Sequence, residues 1–251
     1  MKKKVLIFGL WQQWQKYINY FKKNWYIVTW VCLTENTKIN IINKFSIEVL
    51  LETDIWDYFS FDLIILALPP VIQWKKALEI LSQWYTNKLI IEIPVSFENS
   101  EIKDLLKYKN VYFFLEEYFT LLSEFMRKID VRKIDMINIS ILTHQSDYDN
   151  SEARKVTFLH INSNFLWLNI KKDVFNYEVN FHNLEDIFYD VSFDYEWKKI
   201  FYKFAKEKYL KIWEKKIDDD FNFDKVLKKF ISLQKNFNFS LFNYTNDTIY
   251  N

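Results

Sequence analysis

The first part of the chain alternates short apolar runs with amphipathic segments. Val5–Phe8 is an apolar run of strand length, and Gln12–Lys23 repeats aromatic and aliphatic residues at helical spacing. A second apolar run ends near Cys32. Runs that are apolar on both faces are typical of strands buried between two layers of helices. The pattern therefore predicts a strand, helix, strand unit with parallel strands.

The same alternation continues to residue 118. The predicted strands are Ile47–Leu51, Phe61–Leu68, Leu89–Glu92 and Val111–Leu115, and the predicted helices are Ile39–Phe45, Val71–Gln83 and Glu98–Tyr108, with a short helix or turn at Asp54–Phe59. Pro69 and Pro70 mark the end of the fourth strand. This order predicts a doubly wound parallel α/β domain of the Rossmann type over residues 1–118.

From residue 119 the pattern changes to strands of alternating polarity. The segments are a helix at Glu116–Arg127, strands at Asp135–Thr143, Lys155–Asn162, Asp173–Phe181, Asp186–Tyr195, Lys198–Lys206 and Tyr209–Lys215, and a helix at Asp224–Phe237. Short turns between several of the strands favour antiparallel pairing. Residues 119–251 are therefore predicted to form a smaller α+β domain with a mainly antiparallel sheet, for substrate binding or dimerisation.

Composition changes the interpretation of the turns. The chain has one glycine and ten tryptophans in 251 residues, whereas glycine averages roughly 7%. Trp25, Trp84 and Trp197 stand at predicted helix ends or turns, where positive φ favours glycine. The remaining composition is that of an AT-rich gene, which should be poor in the tryptophan codon UGG. We interpret the tryptophans as glycines encoded by UGA; the alternative is a protein that is truly rich in tryptophan.

The turn after the first strand carries the candidate chemistry. Gly9, Trp11 and Trp14 have the spacing of the three glycines in G-x-G-x-x-G, the dinucleotide fingerprint. In that motif the second glycine lets the backbone approach a pyrophosphate, and the third lets helix and strand pack closely. Gln12 and Gln13 open the following helix, whose dipole favours a pyrophosphate. All five residues are candidates for cofactor binding.

With glycine at these positions, the first domain resembles the Gfo/Idh/MocA family, which includes glucose-fructose oxidoreductase and inositol dehydrogenase. The strand that ends at Leu68 runs into Pro69, and the strand that ends at Glu92 runs into Ile93 and Pro94, where the family has Glu-Lys-Pro. The resemblance implies an NAD or NADP cofactor and hydride transfer to or from a sugar or a related hydroxy or carbonyl compound. Beyond the first domain the similarity is thin.

The resemblance also implies roles for single residues. Glu92 would line the nicotinamide pocket and Pro94 would shape the turn, while Ile93 replaces the family's proton-transferring lysine. The family's other acid-base group is a histidine in a D-x-G-x-H context, and His160 has the nearest match, without the aspartate. His160 is therefore the catalytic candidate, with a structural histidine as the alternative. Pro69 would face the cofactor, because ligands bind beyond the carboxyl ends of such strands, and Val71–Gln73 are candidate lining residues by position.

The residue that binds the adenosine ribose stays open at this stage. A carboxylate about 20 residues after the glycines accepts from the ribose hydroxyls in many such domains, and Glu35 is the candidate here. It is displaced from the strand tip, where Leu33 stands, so Glu35 could equally be a solvated loop residue. Thr34 and Lys38 could instead receive the 2′-phosphate of NADP. NAD and NADP are both compatible with the sequence.

Charge and metal-binding residue types exclude several other classes. The formal charge is +1 with acidic residues interspersed among the lysines, which gives no basic surface for nucleic acid or an anionic membrane. No stretch approaches the ~20 apolar residues of a membrane span, and three histidines with one cysteine form no metal motif. We expect a cytoplasmic protein with a small-molecule substrate, whose exposed sheet would suit pairing with a second copy.

Two other hypotheses stay open. A non-catalytic or regulatory nucleotide-binding protein could keep the fold after Ile93 replaced the acid-base group. A Rossmann-like scaffold without any cofactor would require the fingerprint to be accidental. A cofactor-binding assay combined with an activity screen separates these hypotheses from the enzyme.

The glycine interpretation predicts the gene sequence. We expect UGA at most or all of the ten tryptophan codons and a GGN codon for Gly9. Sequencing the gene checks this directly. UGG codons at Trp11 and Trp14 would contradict the interpretation.

Overall fold

The computed structural model describes residues 2–9, 13–92, 95–96, 99–114, 120–144, 161, 165, 174–182, 188–205, 207–219 and 222–232. They belong to two compact units: the first contains the described residues up to Phe114 together with Ser232, and the second contains those from Thr120 to Ile231. The predicted boundary at residue 118 lies in 115–119, outside the described residues.

The first unit contains a fully parallel sheet, as predicted. Its described strands are β1 (Lys4–Gly9), β2 (Ile27–Cys32), β3 (Glu48–Leu51), β4 (Leu63–Ala67), β5 (Lys88–Glu92) and β6 (Val111–Phe114), in the order β3-β2-β1-β4-β5-β6. Each pair of neighbours is parallel. Every residue of β4 is buried, because helices cover both faces of such a sheet.

Helices connect these strands. They are α1 (Gln13–Lys23), α2 (Glu35–Phe45), α3 (Pro70–Ser82) and α4 (Asn99–Leu105), with a 3-10 helix at Glu52–Asp54. Helix α2 begins four residues before the predicted Ile39, because the Thr34 hydroxyl caps it by accepting from the Thr37 backbone N–H at 3.3 Å. Helix α3 has Pro70 in its first turn, where a missing N–H costs nothing.

The second unit contains a mainly antiparallel sheet. Its described strands are β7 (Ile137–His144), β8 (Phe175–His182), β9 (Phe188–Tyr195), β10 (Lys198–Phe204), β11 (Lys208–Ile212) and β12 (Lys215–Asp218), in the order β12-β11-β10-β9-β7-β8. Only the pair of β7 and β8 is parallel among these described strands. The α+β prediction is confirmed.

One face of this second sheet packs into a core that includes helix α5 (Leu121–Met126). Ile137, Ile139 and Ile141 of β7 are buried in one apolar cluster with Leu122 and Met126 of α5. Helix α6 (Phe223–Ser232) begins one residue before the predicted helix Asp224–Phe237, whose last five residues lie outside the described part of the chain. None of the described helices has the length and apolar character needed to cross a membrane.

Two predictions for the second unit differ from the structure. The single strand predicted at Tyr209–Lys215 is in fact β11, a turn at Trp213 and Glu214, and the start of β12. The chain reverses there because Trp213 has left-handed backbone geometry. The strand predicted at Lys155–Asn162 lies outside the described residues except for Ile161, which is assigned as helical. The predicted helix from Glu116 is described only from its cap, Thr120.

Tryptophans occupy backbone positions that favour glycine. In the described part of the chain, the non-glycine residues with positive φ are Trp25 (64°), Ser46 (50°), Trp84 (65°), Glu196 (57°) and Trp213 (57°). An L-residue in the left-handed region costs roughly 1–2 kcal/mol relative to the right-handed one. Three of these five residues are tryptophans, as the glycine interpretation requires of turn and cap positions.

The end of α1 shows why the geometry favours glycine at Trp25. The Trp25 N–H donates to the Lys22 carbonyl at 3.2 Å, and the Tyr26 N–H donates to the Phe21 carbonyl at 3.0 Å. Together with a left-handed residue, these two bonds form a Schellman motif, whose C′ position is usually glycine. The rings of Phe21 and Tyr26 lie 4.9 Å apart and supply the apolar contact of the motif.

The two-residue hairpin turns show the same requirement. Trp213 is the first residue of the turn between β11 and β12, and Glu196 is the first residue of the turn between β9 and β10. Tight hairpins need positive φ at that position. Trp197 is the second residue of its turn, so its predicted location in a turn is confirmed, whereas the positive φ falls on Glu196.

We expect Trp84→Gly to raise the free energy of unfolding by about 1 kcal/mol, because glycine adopts the left-handed conformation without steric strain. Urea unfolding followed by circular dichroism measures this. Trp56→Gly is the matched control, since Trp56 is 90% exposed and has no positive φ, so its replacement relieves no strain. Equal or lower stability of the Trp84→Gly protein would contradict the strain argument.

Candidate functional site

The strand order places a crevice at the carboxyl edge of the first sheet. The chain builds outward on one side through β2 and β3, then crosses back and continues through β4, β5 and β6. β1 and β4 are neighbours, and the last residue of β1, Gly9, pairs with Ala67. Helices leave in opposite directions from such a pair, so ligands bind beyond the carboxyl ends of the strands there.

A cavity of about 300 Å³ occupies this position. Its walls include Phe8 and Gly9 from the end of β1, Cys32 and Leu33 from the end of β2, and Leu68 after β4. Cys32 is buried, and burial raises the pKa of its thiol. The cavity therefore joins the ends of three neighbouring strands within the first unit.

Two aliphatic residues in the cavity wall are exposed to solvent. Leu33, directly after β2, is 66% exposed, and Ile72 in the first turn of α3 is 42% exposed. Covering apolar side chains with the apolar surface of a ligand stabilises the complex by roughly 25 cal/mol per Å² of apolar surface removed from water. This end of the cavity can therefore pack against a flat, largely apolar ring.

Charged residues of α3 also line the cavity. The Lys76 ammonium contacts the Glu52 carboxylate and lies 2.5 Å from Glu79 Oε2, while Tyr58 donates to Glu79 Oε1 at 3.3 Å. Burial lowers the pKa of Lys76, but the hydrogen bonds and charges of both glutamates outweigh it, so the pKa is raised. Burial, followed by the charge of Glu79, raises the pKa of Tyr58. This cluster keeps Lys76 charged and fixed in place.

A second hydrogen-bonded group surrounds Glu92 at the end of β5. The Tyr17 hydroxyl of α1 donates to Glu92 Oε1 at 3.3 Å. The Gln73 side-chain amide of α3 donates to the Glu92 carbonyl at 2.6 Å and accepts from the Leu68 backbone N–H at 2.9 Å. The carboxyl ends of β4 and β5 are thereby tied to two helices.

The structure brings only some of the predicted site residues to this edge. Gly9 lines the cavity, Pro69 caps α3, and Glu92 ends β5. Glu35 is the first residue of α2, where its carboxylate lies 3.8 Å from the Lys38 ammonium, and it does not line the cavity.

The remaining predicted residues have no described side chains. Gln13 and Trp14 begin α1, but their side chains are not described. Trp11, Gln12, Pro94 and His160 lie outside the described residues, as does Ile93.

The sequence interpretation missed most of the cavity wall on α3. Of the candidate lining residues Val71–Gln73, only Ile72 lines the cavity, and Lys75, Lys76 and Glu79 of the same helix line it as well. The spacing of four and three residues from Ile72 to Lys76 and Glu79 places these three on one face of a helix. Because α3 follows directly after the strand next to β1, that spacing was the signal that could have identified them.

No protein-family model and no curated protein matches this sequence. Among solved structures, biliverdin reductase from Synechocystis, crystallised with biliverdin and NADP+, superposes with a TM-score of 0.67 at 10% identity, over 92% of this chain and 89% of that chain. A Gfo/Idh/MocA family oxidoreductase from Vibrio cholerae gives a TM-score of 0.57 at 10% identity, over 93% and 89% of the two chains.

A mutant 3-ketoreductase from Actinomadura kijaniata, in complex with NADP and TDP-benzene, gives a TM-score of 0.66 at 9% identity, over 92% of this chain and 88% of that chain. The likeness to all three structures covers both units of the chain. The resemblance that the sequence suggested is therefore confirmed at the level of the fold.

Proposed function

We propose that this protein is an NAD(P)-dependent oxidoreductase that transfers hydride to or from a sugar or a related hydroxy or carbonyl compound. The first unit would bind NAD or NADP, with the adenosine in the cavity at the ends of β1, β2 and β4. The second unit would bind the substrate and would provide a surface for pairing with a second copy of the chain. The nucleotide-bound proteins that share the fold support the class of cofactor.

The observation that carries the proposal is the cavity and its exposed aliphatic residues. Leu33 and Ile72 belong to the loop after β2 and to the helix after β4, and both line the same cavity at the crossover point of the sheet. A binding pocket combines apolar walls with a few polar groups that fix orientation. An adenine ring between these two side chains satisfies the apolar part of that description.

The pyrophosphate would lie at the turn that follows Gly9. Gly9 ends β1 in the cavity wall, and α1 begins at Gln13, so the start of this helix follows the same strand end. Backbone N–H groups at a helix start favour phosphate. We assign this role to Gly9 and residues 11–14, with Pro69, Glu92 and Pro94 along the nicotinamide half.

The ribose could bind in either of two ways, so the proposal includes both NAD and NADP. Glu35 would accept from the ribose hydroxyls of NAD. Alternatively Thr34 and Lys38 would receive the 2′-phosphate of NADP. Lys38 lies 3.8 Å from Glu35 and 3.9 Å from Asp54, so its charge is partly balanced without a ligand.

A non-catalytic or regulatory nucleotide-binding protein is the second candidate. The specific observation in its favour is Ile93, which stands where the resembling family has its proton-transferring lysine. Isoleucine has no titratable group, so proton transfer would require another residue. This candidate shares the cofactor site and differs only in the absence of turnover.

We expect the full chain with Trp11→Gly and Trp14→Gly to bind NADH or NADPH, and the unaltered chain to bind both poorly. An indole at residue 11 would occupy the space that the pyrophosphate needs. Titration of cofactor fluorescence measures both proteins. Equal affinity of the two proteins would show that this turn is not the phosphate site.

A matched pair of variants in the glycine-containing chain tests the cavity itself. Ile72→Asn should weaken cofactor binding about tenfold or more, because an amide without a hydrogen-bond partner against an apolar ring costs roughly 1–3 kcal/mol. Ile42→Asn is the control, since Ile42 is exposed to the same degree on α2 but does not line the cavity. An equal loss in both variants would argue against adenosine binding in the cavity.

His160 is the proposed acid-base group, on the strength of the sequence resemblance. General acid-base catalysis contributes about 10²–10⁴-fold, so His160→Ala should lower turnover by a factor in that range and leave cofactor affinity nearly unchanged. A steady-state assay on sugars and polyols, with a parallel cofactor titration, measures both. Unchanged turnover would remove His160 from the site, and cofactor binding without any turnover would favour the non-catalytic candidate.

A further inference from the structure

We propose that Gln73 and Tyr17 are positioning residues that hold the end of β5 for the nicotinamide half of the cofactor. Tyr17 was not a site candidate by sequence, Gln73 was one only as a lining residue by position, and neither lines the cavity assigned to adenosine. The inference rests on the proposed cofactor site and adds residues that control one half of it.

Gln73 continues the pairing of two strands beyond the end of their ladder. β4 and β5 pair as far as Leu66 and Ile91. Just beyond that pair, the Gln73 side chain accepts from the Leu68 N–H at 2.9 Å and donates to the Glu92 carbonyl at 2.6 Å. One amide group thus fixes the separation of the two chain segments that leave the sheet here.

Tyr17 holds the same glutamate by its side chain. Tyr17 is fully buried on α1, and its hydroxyl donates to Glu92 Oε1 at 3.3 Å. Its ring lies edge-on to Phe114 of β6 at 6.3 Å, which restricts where the hydroxyl can point. Glu92 is therefore held at its carbonyl by α3 and at its carboxylate by α1.

The Gln73 amide and the Tyr17 hydroxyl are buried at positions where an apolar side chain would be sufficient if packing were the only requirement. Gln73 is 1% exposed, and the other buried residues of α3 are Pro70, Ala77, Ile80 and Leu81. A buried amide or hydroxyl lowers stability unless its hydrogen bonds are made, so such groups are retained where they fix a geometry. The geometry fixed here is the end of β5.

The location matches the other half of a dinucleotide. β5 is two strands from β1, and strands lie roughly 4.8 Å apart, so Glu92 is on the order of 10 Å from the end of β1 across the sheet. A cofactor with its adenosine at β1 and β2 and its pyrophosphate at the start of α1 extends towards β5. Gln73 and Tyr17 then act on the nicotinamide half and leave the adenosine half unaffected.

The test compares whole cofactors with fragments that lack nicotinamide. In the full chain with glycine at residues 11 and 14, calorimetry would measure NADH against ADP-ribose, and NADPH against 2′-phospho-ADP-ribose. Tyr17→Phe removes the bond to the carboxylate. Gln73→Glu keeps the oxygen that accepts from the Leu68 N–H, but it replaces the NH₂ group that donates to the Glu92 carbonyl with a second oxygen, which repels that carbonyl. Each variant should weaken the dinucleotide about tenfold and change the fragment less than twofold.

Tyr85→Phe is the matched control. Tyr85 is also buried, and its hydroxyl donates to the carbonyls of Phe61 and Lys88, at the amino ends of the same two strands. Its loss should lower the urea midpoint as Tyr17→Phe does, yet leave the ratio of the two dissociation constants unchanged.

The outcomes separate this inference from the proposed function. A raised ratio in either Tyr17→Phe or Gln73→Glu, with a constant ratio in Tyr85→Phe, supports the positioning role. An unchanged ratio in both variants, or equal weakening of dinucleotide and fragment, overturns it while the cofactor site stands. If the parent protein binds neither dinucleotide nor fragment, the proposed function fails and this inference fails with it.

Discussion

Burial of parallel strands on both faces is the constraint on which the first unit depends. Parallel neighbours require the chain to return through a helix after every strand, and each return requires a sharp reversal where the helix ends. The first three such helices all end at a residue with positive φ, namely Trp25, Ser46 and Trp84. The parallel sheet therefore depends on left-handed backbone conformations at three residues whose side chains disfavour that conformation. For this reason the scarcity of glycine affects the first unit more than any single contact in its core.

Much of the fold could be predicted from sequence because uniformly apolar strands and helical spacing leave a clear pattern. β1, β3, β4, β5 and β6 each coincide with a predicted strand within two residues at each end, and β2 ends at Cys32, where the second apolar run ends. The start of α2 was misplaced because its first turn, Glu35 to Lys38, is polar and is held by the Thr34 cap, which hydrophobic spacing does not show. β12 was missed because its lysines leave only Ile217 as an apolar signal. The parallel pairing of β7 with β8 depends on the path of the chain between them, which alternation along a strand does not encode.

The candidate site was predictable where it follows from strand ends and unpredictable where it depends on helix rotation. Gly9, Pro69 and Glu92 each mark the end of an apolar run, so their common edge follows from parallel topology alone. Tyr17 and Lys76 reach that edge because their helices turn particular faces towards it, and Gln73, a candidate lining residue by position, instead bonds to Glu92. Their partners come from β5 and from the 3-10 helix after β3, far away in the sequence. Such pairings of polar groups across elements become visible only once the packing of helix on sheet is known.

The Lys76 cluster has a consequence for how quickly a ligand can enter the cavity. Lys75 and Lys76 in the wall are matched by Glu52 and Glu79, so the formal charges of these four groups cancel. Long-range attraction accelerates the encounter of opposite charges only where a surface carries a net field, and such acceleration fades as salt screens it. An anionic nucleotide approaching this cavity would meet no such field from its walls. Its association would then be governed by diffusion and by the shape of the opening, at a rate nearly independent of ionic strength.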